Sequence, residues 1–243
     1  MGEVAERFAM HIAIIPARGG SKRIPRKNIR LFRGKPMMAW SIDAAVASGL
    51  FDAIHVSTDD PEIAAIAREY GATVPFMRSR ELADDHTGLG KVVHSHVQQL
   101  ADVGVHPALC CVLFATAPFV TPDLLREGLE RLQADPASRF AVAVAHFPFP
   151  IQRAVRLTEA SLMQPFWPEN IPKRSQDLEP AYHEAGQFYW ARTRALLDRV
   201  SIYAGTAAPV IVPGYRVQDI DTEEDWVRAE CLHRVLEETP CVS

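Results

Sequence analysis

Eight of the 26 basic residues fall between Arg18 and Lys35, and no Asp or Glu occurs from His11 to Ile42. Charge of one sign packed so closely has an obvious chemical use: neutralising a compact polyanion. The stretch opens with Ala17-Arg18-Gly19-Gly20-Ser21, small residues whose backbone can approach a ligand and aim several N–H groups at one anion. Two hundred positions on comes Asp219-Ile220-Asp221. On an extended segment, period-two alternation turns both carboxylates to one face. Mg²⁺ takes one or two carboxylates, keeps waters and draws its other ligands from substrate phosphates. Cationic loop and paired acids together point to metal-assisted chemistry on a phosphate chain. Blander readings stand beside this one. The loop could be a solvated turn, Asp221 could cap the helix that Thr222 and Glu223 begin, and Asp59-Asp60 before Pro61 reads as a helix start.

The remainder of the chain carries 18 basic against 30 acidic residues. A single cationic spot on an acidic body suits a small anionic ligand rather than nucleic acid. No apolar run is long enough to span a bilayer and no signal-peptide core is present, which reads as a cytoplasmic protein without a membrane partner. Cys110, Cys111, Cys231 and Cys241 lack zinc spacing, and Cys110-Cys111 lies in an apolar run as core filler.

The loop must be held by something, and the periodicity says what. Residues 11–15 form a β-branched run suited to one buried strand, ended by Pro16. Strands at 53–57, 73–76, 108–114 and 139–145 alternate with helices at 37–45, 61–70, 89–101 and 124–134. That alternation predicts an α/β fold with a doubly wound, mostly parallel sheet, which binds ligands outside the strands' carboxyl ends. From His146 the pattern gives way to a proline-rich stretch, 146–183, expected to be a long functional loop or an excursion that packs on a second subunit. The sheet resumes at 185–190. A helix from Arg192, a strand at 209–212 and a terminal helix from Thr222 follow. Residues 1–10 read as an N-terminal extension and 11–243 as a single domain.

Two familiar phosphate loops are absent, since neither G-x-G-x-x-G nor G-x-x-x-x-G-K-[ST] occurs. What residues 15–28 do resemble is the I-P-A-R-x-G-S-K-x-x-x-x-K-N signature of the sugar-activating cytidylyltransferases, closed here by Lys27-Asn28 as in the sialic-acid branch. The resemblance implies a Rossmann-like nucleotide-diphospho-sugar transferase fold, CTP and a nine-carbon acidic sugar as substrates, Mg²⁺ as cofactor, and a homodimer joined through the 146–183 arm. By the same resemblance Arg18, Lys27 and Asp221 are the catalytic candidates. Ala17, Gly19, Gly20, Ser21 and Lys22 join them around the phosphates, Asn28 at the cytidine, and Ala115 and Thr116 beside the nucleotide. Arg23 and Arg26 are expected to be solvated. Arg78 opens a stretch similar to the family's R-x-x-E-L-A-x-D-x-T and is expected at the nucleotide, or else paired with Asp84 or Asp85. A D-x-D at this place in the related synthetases favours Asp219 and Asp221 as metal ligands.

The acceptor half departs from the sialic-acid enzymes. Their L-Q-P-T-S-P is replaced by Leu113-Phe114-Ala115-Thr116-Ala117-Pro118, with Ala115 where a glutamine reaches the sugar. The A-T-A-P-F, R-S-Q-x-L and H-x-A-G-Q-F-Y-W stretches instead look like the pseudaminic acid cytidylyltransferases. A sugar with fewer hydroxyls and more apolar surface needs fewer polar contacts. Arg174 is the candidate for the sugar carboxylate, with Gln176, Tyr182, His183 and Gln187 for its amides and hydroxyls. Phe188 and Trp190 fit core and site equally. Sialic, legionaminic and Kdo sugars are the rival acceptors, and a nucleotide-binding protein without turnover is the rival from another class.

Overall fold

The computed structural model describes residues 9–84 and 87–238. In chain order the strands are β1 (His11–Pro16), β2 (Leu31–Phe32), β3 (Lys35–Pro36), β4 (Ala53–Ser57), β5 (Leu109–Leu113), β6 (Phe140–His146), β7 (Val155–Leu157), β8 (Met163–Pro165), β9 (Tyr182–Arg192) and β10 (Ala207–Ile211). The helices are α1 (Met37–Ser48), α2 (Pro61–Glu69), α3 (Leu89–Asp102), α4 (Pro122–Ala134), α5 (Thr193–Leu197) and α6 (Glu223–Glu238).

Six strands form the central sheet in the order β10-β6-β9-β5-β1-β4, parallel except for β9, which runs antiparallel to both neighbours. Alternation along β1 divides the core into two layers. Ala13 and Ile15 join Met38 and Ile42 of α1, Ile63 of α2 and Leu125 of α4 on one face. Ile12 and Ile14 join Val93 and Val97 of α3 and Leu196 of α5 on the other. Both faces of β1 are therefore covered, which is why its sequence is continuously apolar rather than alternating. Where α4 crosses β9, a Cβ on Gly128 would lie 2.7 Å from the Trp190 ring, so only glycine permits that approach.

The chain leaves β1 for β4 on one side and returns to β5 on the other. The crevice outside the carboxyl ends of β1 and β5 is thus the topological switch point, where this class of sheet binds ligands. A third cluster, Ile24, Phe32, Phe119, Ile220 and Trp226, clamps α6 and the segment before it against the first loop. That packing brings residues 18–28 and 219–221 together across the whole length of the chain.

One expectation needs correction, and two features were not foreseen. Residues 73–76 form no strand: Thr73 and Met77 make isolated bridges to His55 and Thr58, because Pro75 has no N–H to extend a ladder. The short β2–β3 hairpin was not foreseen, its two-residue strands giving no periodicity to read. The 146–183 excursion is not featureless, since β7 and β8 pair as an antiparallel hairpin flanked by single 3₁₀ turns. Cys110 and Cys111 are buried core, whereas residues 1–8, Asp85, His86 and Cys241 lie outside the described residues.

Candidate active site

β1 delivers the loop to the crevice, and the first residues after it are spent on shape. Ala17 is fully buried and donates its N–H to the Ser57 carbonyl, 2.9 Å away. Gly19 donates to Asp59 Oδ1 at 3.1 Å, and a Cβ there would stand 2.6 Å from Asp60 Oδ2. Glycine is required because the loop lies against the start of α2, where Asp60 caps the helix through the Glu62 and Ile63 N–H groups. Ala17, Gly19 and Gly20, expected to bind phosphate, are not among the cavity-lining residues. The reason is physical: the N–H groups of Ala17 and Gly19 are already committed inside the protein.

Arg18, Ser21, Lys22, Lys27, Asn28, Arg78, Ala115, Thr116 and Asp221 do line one cavity of about 740 Å³, at the ends of β1 and β5. Arg23 lines it too and pairs with Asp221 Oδ2 at 2.8 Å, so it is not the merely solvated charge that was expected. Arg26 is also committed, to Asp60 and to Glu62 at 2.5 Å. Arg18 donates to the Asp84 carbonyl at 3.1 Å. Asn28, nearly buried, donates its amide N–H to the Arg18 carbonyl at 2.9 Å, so part of its hydrogen-bonding capacity braces the loop. Arg78 donates to the Ser57 carbonyl at 2.6 Å rather than to Asp84. Burial pushes the Arg78 guanidinium below its ordinary range, the Asp59 charge opposes that, and Arg18 adds to it.

Lys27 joins the two ends of the chain. Its Nζ donates to the Ile220 carbonyl at 2.5 Å and meets Asp221 Oδ1 at 3.3 Å. Asp221 is not the cap of α6. Thr222 Oγ1 accepts the Asp225 N–H at 3.2 Å, and Asp225 accepts the Thr222 N–H at 2.9 Å, a reciprocal capping box one residue on. The expectation that Asp219 and Asp221 share a face needs qualification. Residues 217–221 belong to no strand, and Asp219 lines a neighbouring cavity while Asp221 lines this one. The two still feel each other: burial holds the Asp219 carboxyl above the usual carboxylate range, Asp221 raises it further, and Lys27 opposes both.

Within one chain Arg174, Gln176, Tyr182, His183 and Gln187 line neither of these two cavities. Arg174 is exposed and paired with Asp177 at 2.8 Å, and Gln176 is exposed on the same turn. Tyr182 stacks on His146 with ring centroids 4.2 Å apart. His183 Nδ1 lies 2.8 Å from the Glu184 carbonyl and lines a smaller pocket of about 350 Å³. Gln187 is sealed in the interior and donates to the Arg216 carbonyl at 2.5 Å. Phe188 and Trp190 are core, with the Trp190 indole N–H on the Leu125 carbonyl. Missed altogether were Leu82, Asp84 and Thr87 as cavity residues, although the R-x-x-E-L-A-x-D-x-T resemblance spans all three.

Comparison with known proteins bears on the family and the fold. The family model described as cytidylyltransferase matches residues 12–216. A pseudaminic acid cytidylyltransferase of Campylobacter jejuni is 40% identical over 230 residues, 94% of this chain and 98% of that protein. A CMP-N,N'-diacetyllegionaminic acid synthase of Legionella pneumophila is 32% identical, over 93% and 97% of the two chains. Among solved structures, a CMP:2-keto-3-deoxy-manno-octonic acid synthetase complexed with CTP superposes with a TM-score of 0.69 at 20% identity, covering 95% of this chain and 100% of that one. At that identity the likeness speaks for the shared doubly wound fold alone. The chain belongs to the cytidylyltransferase family.

Proposed function

We propose that this chain transfers CMP from CTP to the anomeric hydroxyl of a nine-carbon α-keto acid sugar, with pseudaminic acid the preferred acceptor. The observation that carries the reading is Lys27 on Asp221 inside a cavity that also holds Arg18, Lys22 and Arg78. Pseudaminic acid is favoured over legionaminic acid by the 40% against 32% identity of the respective relatives.

The reaction forms a bond between the sugar hydroxyl oxygen and the α-phosphorus, breaks the bond from that phosphorus to the bridging oxygen of pyrophosphate, and releases the hydroxyl proton. Little of the catalysis is covalent work by the protein. It consists of positioning and charge neutralisation. Arg18 and Lys22 take the outer phosphates, Lys27 lies where negative charge grows on the leaving pyrophosphate, and Ser21 supplies a hydroxyl donor. Arg78, half-buried and braced on Ser57, holds its charge in a partly desolvated place where it counts for more than in water. Asn28, with both amide functions, faces the same cavity and suits a pyrimidine edge.

Asp219 and Asp221 fit an Mg²⁺ ion. Both offer hard oxygen donors, and the Asp219 carboxyl, raised first by burial and then by Asp221, would be favoured in its charged form by a bound divalent cation. When bound, Mg²⁺ would polarise the phosphate oxygens and lower the pKa of a hydroxyl beside it. Among the described residues no group of three or more His, Cys, Asp or Glu forms a cage for a metal, consistent with an ion completed by phosphate oxygens and water.

A homodimer built through the 147–181 arm is part of the same proposal. Phe149, Leu157, Leu162 and Met163 there are between 66% and 81% exposed, a density of bare apolar surface that calls for a partner. The experiment is incubation with CTP, Mg²⁺ and a panel of pseudaminic, legionaminic, sialic and Kdo sugars, with mass spectrometry of the nucleotide product. CMP-pseudaminic acid in excess of the others is expected. Product with sialic acid but not pseudaminic acid would overturn the acceptor, and tight CTP binding without any CMP-sugar would overturn the reaction.

A further inference from the structure

Among the described residues, four of the five cations between Arg18 and Lys27 line the nucleotide cavity, and Arg26 is the exception. Its backbone is unusual as well. Ile24-Pro25-Arg26-Lys27 forms a tight turn in which the Lys27 N–H meets the Ile24 carbonyl at 3.2 Å. Pro25 fills the second position and Arg26 the third, with φ of 56°, a place that such turns give to glycine or asparagine. The Arg26 carbonyl then accepts the Ile29 and Arg30 N–H groups at 3.0 and 2.9 Å, so the next stretch of the loop hangs from this one residue. A residue with a Cβ adopts such a conformation under strain. An arginine kept there is accounted for if its side chain is needed.

That side chain reaches away from the cavity to the start of α2. The guanidinium pairs with Asp60 and, at 2.5 Å, with Glu62. Asp60 is itself fixed, accepting the Glu62 and Ile63 N–H groups at 2.8 and 3.2 Å while its own N–H bonds to Thr58 Oγ1 at 3.1 Å. Arg26 holds the Asp60 carboxyl below its ordinary range, burial opposes that, and the two N–H groups support it. On the other side of the turn Ile24 is fully buried, in the cluster that contains Phe119, Ile220 and Trp226. The turn is therefore anchored at both ends, by α2 through Arg26 and by the core through Ile24. Lys27 follows directly, with its Nζ on the Ile220 carbonyl.

We propose that Arg26 is a positioning residue for CMP transfer: tied to Asp60 and Glu62, it holds the turn that aims Lys27 at the leaving pyrophosphate. The inference rests on the reaction proposed above. A lysine carries its charge on a flexible four-carbon stem, so its usefulness depends on where both ends of that stem are held. Ile220 and Asp221 fix the tip, and the Arg26 strut fixes the root. Without the strut the Lys27 charge spreads over many positions and loses the preorganisation on which its effect depends.

Arg26→Asn tests the strut, because asparagine tolerates the left-handed backbone but is too short to replace the guanidinium at Asp60 and Glu62. It should lower kcat about 10-fold, leave the KM for the sugar within about two-fold and keep the thermal midpoint within about 3 °C. Arg26→Lys keeps the charge and should restore kcat to within about three-fold of wild type. The decisive comparison is made in a Lys27→Met background, where Arg26→Asn should cost less than about two-fold more, since the strut has nothing left to aim. A cost of about 10-fold there too, an unchanged kcat in the single variant, or a fall in thermal midpoint large enough to explain the loss would overturn the assignment. Hydrogen exchange reads the strut without substrate: the Ile29 and Arg30 amides should exchange about 10-fold faster in Arg26→Asn than in wild type. If wild type makes no CMP-sugar with any acceptor, the reaction is refuted, and the strut is then judged by that exchange difference, equal rates overturning it.

Discussion

The loop after β1 and the arm between β6 and β9 are both irregular, and the contrast between them shows what irregular chain needs in order to be a site. In the loop the charged side chains are braced by distant parts of the same chain, Lys27 by Ile220 and Asp221 and Arg26 by Asp60 and Glu62, while Asn28 ties the loop to itself through the Arg18 carbonyl. Such bracing fixes charges before a ligand arrives, which is where electrostatic stabilisation gets its strength. In the arm the polar contacts stay within the arm itself, as in Arg174 with Asp177, Arg153 with Ser175 and Gln152 with the Glu179 carbonyl, and large apolar side chains face outward. A two-stranded hairpin such as β7–β8 is marginal by itself. One region is braced within a single chain, and the other carries the bare apolar surface of the proposed interface.

The hardest test of that contrast is Asp221→Ala. It removes the partner of both Arg23 and Lys27 and one of the two proposed Mg²⁺ donors, yet the side chain is not core and Thr222 still caps α6. Turnover should fall by about 10³-fold or more while the thermal midpoint changes little. Near-normal kcat at saturating Mg²⁺ would remove Asp221 from the metal site. Lys27→Met comes next. It keeps the apolar stem and deletes the charge, so a fall in kcat/KM for CTP of about 10²-fold is expected. A change confined to the sugar KM would place Lys27 on the wrong substrate.

How much of this was readable beforehand follows the same division. β1, β4, β5, α2 and α4 were visible because buried parallel strands are continuously apolar and because Asp60-Pro61 and Thr121-Pro122 punctuate helix starts. The cationic loop was visible because charge of one sign survives in composition. That Gly19 answers to Asp60, and that Asn28 braces the loop it was expected to serve, depends on contacts 10 to 41 positions apart that no local pattern records. Asp219 and Asp221 were found by spacing, but the segment that carries them is not a strand and the two line neighbouring cavities, which no spacing records. The arm gave only proline and aperiodicity, so its residues were assigned by likeness alone.

A smaller effect sets the buried layer between β4 and α3 apart from the arm by pH. His55 on β4 and His96 on α3 are buried with Nδ1 and Nε2 3.1 Å apart. Burial pushes His55 down to about 4 and His96 to about 3, with His55 and Arg78 contributing to the latter. Both titrate near 6.5 when unfolded. Between pH 6.5 and 4 the unfolded chain therefore binds protons that the folded chain refuses. The pair's contribution is fully present above pH 6.5 and lost as the pH falls. His233, lowered first by its own burial, slopes the same way. The thermal midpoint should drop by roughly 5 °C or more from pH 7 to pH 5, and His55→Phe with His96→Leu should flatten that slope. An equally steep slope in the double variant would show that the pair is not its source.

The arm offers the mildest perturbation. Leu157 and Met163 face each other across β7 and β8, and both are more than 70% exposed. Leu157→Lys with Met163→Glu replaces that apolar pair by opposite charges in the same register, which keeps the hairpin paired and removes the surface a second copy would cover. Since neither side chain is buried within one chain, unfolding stability of the monomer should move by no more than about 0.5 kcal/mol. Sedimentation should show the assembly shifting from dimer to monomer, and the KM for CTP should stay put because no arm residue lines the nucleotide cavity. A wild-type protein that sediments as a monomer at micromolar concentration would break the contrast from one side. A charged variant that loses CTP binding along with its partner would break it from the other, because the loop would then depend on the very interface it has been said to do without.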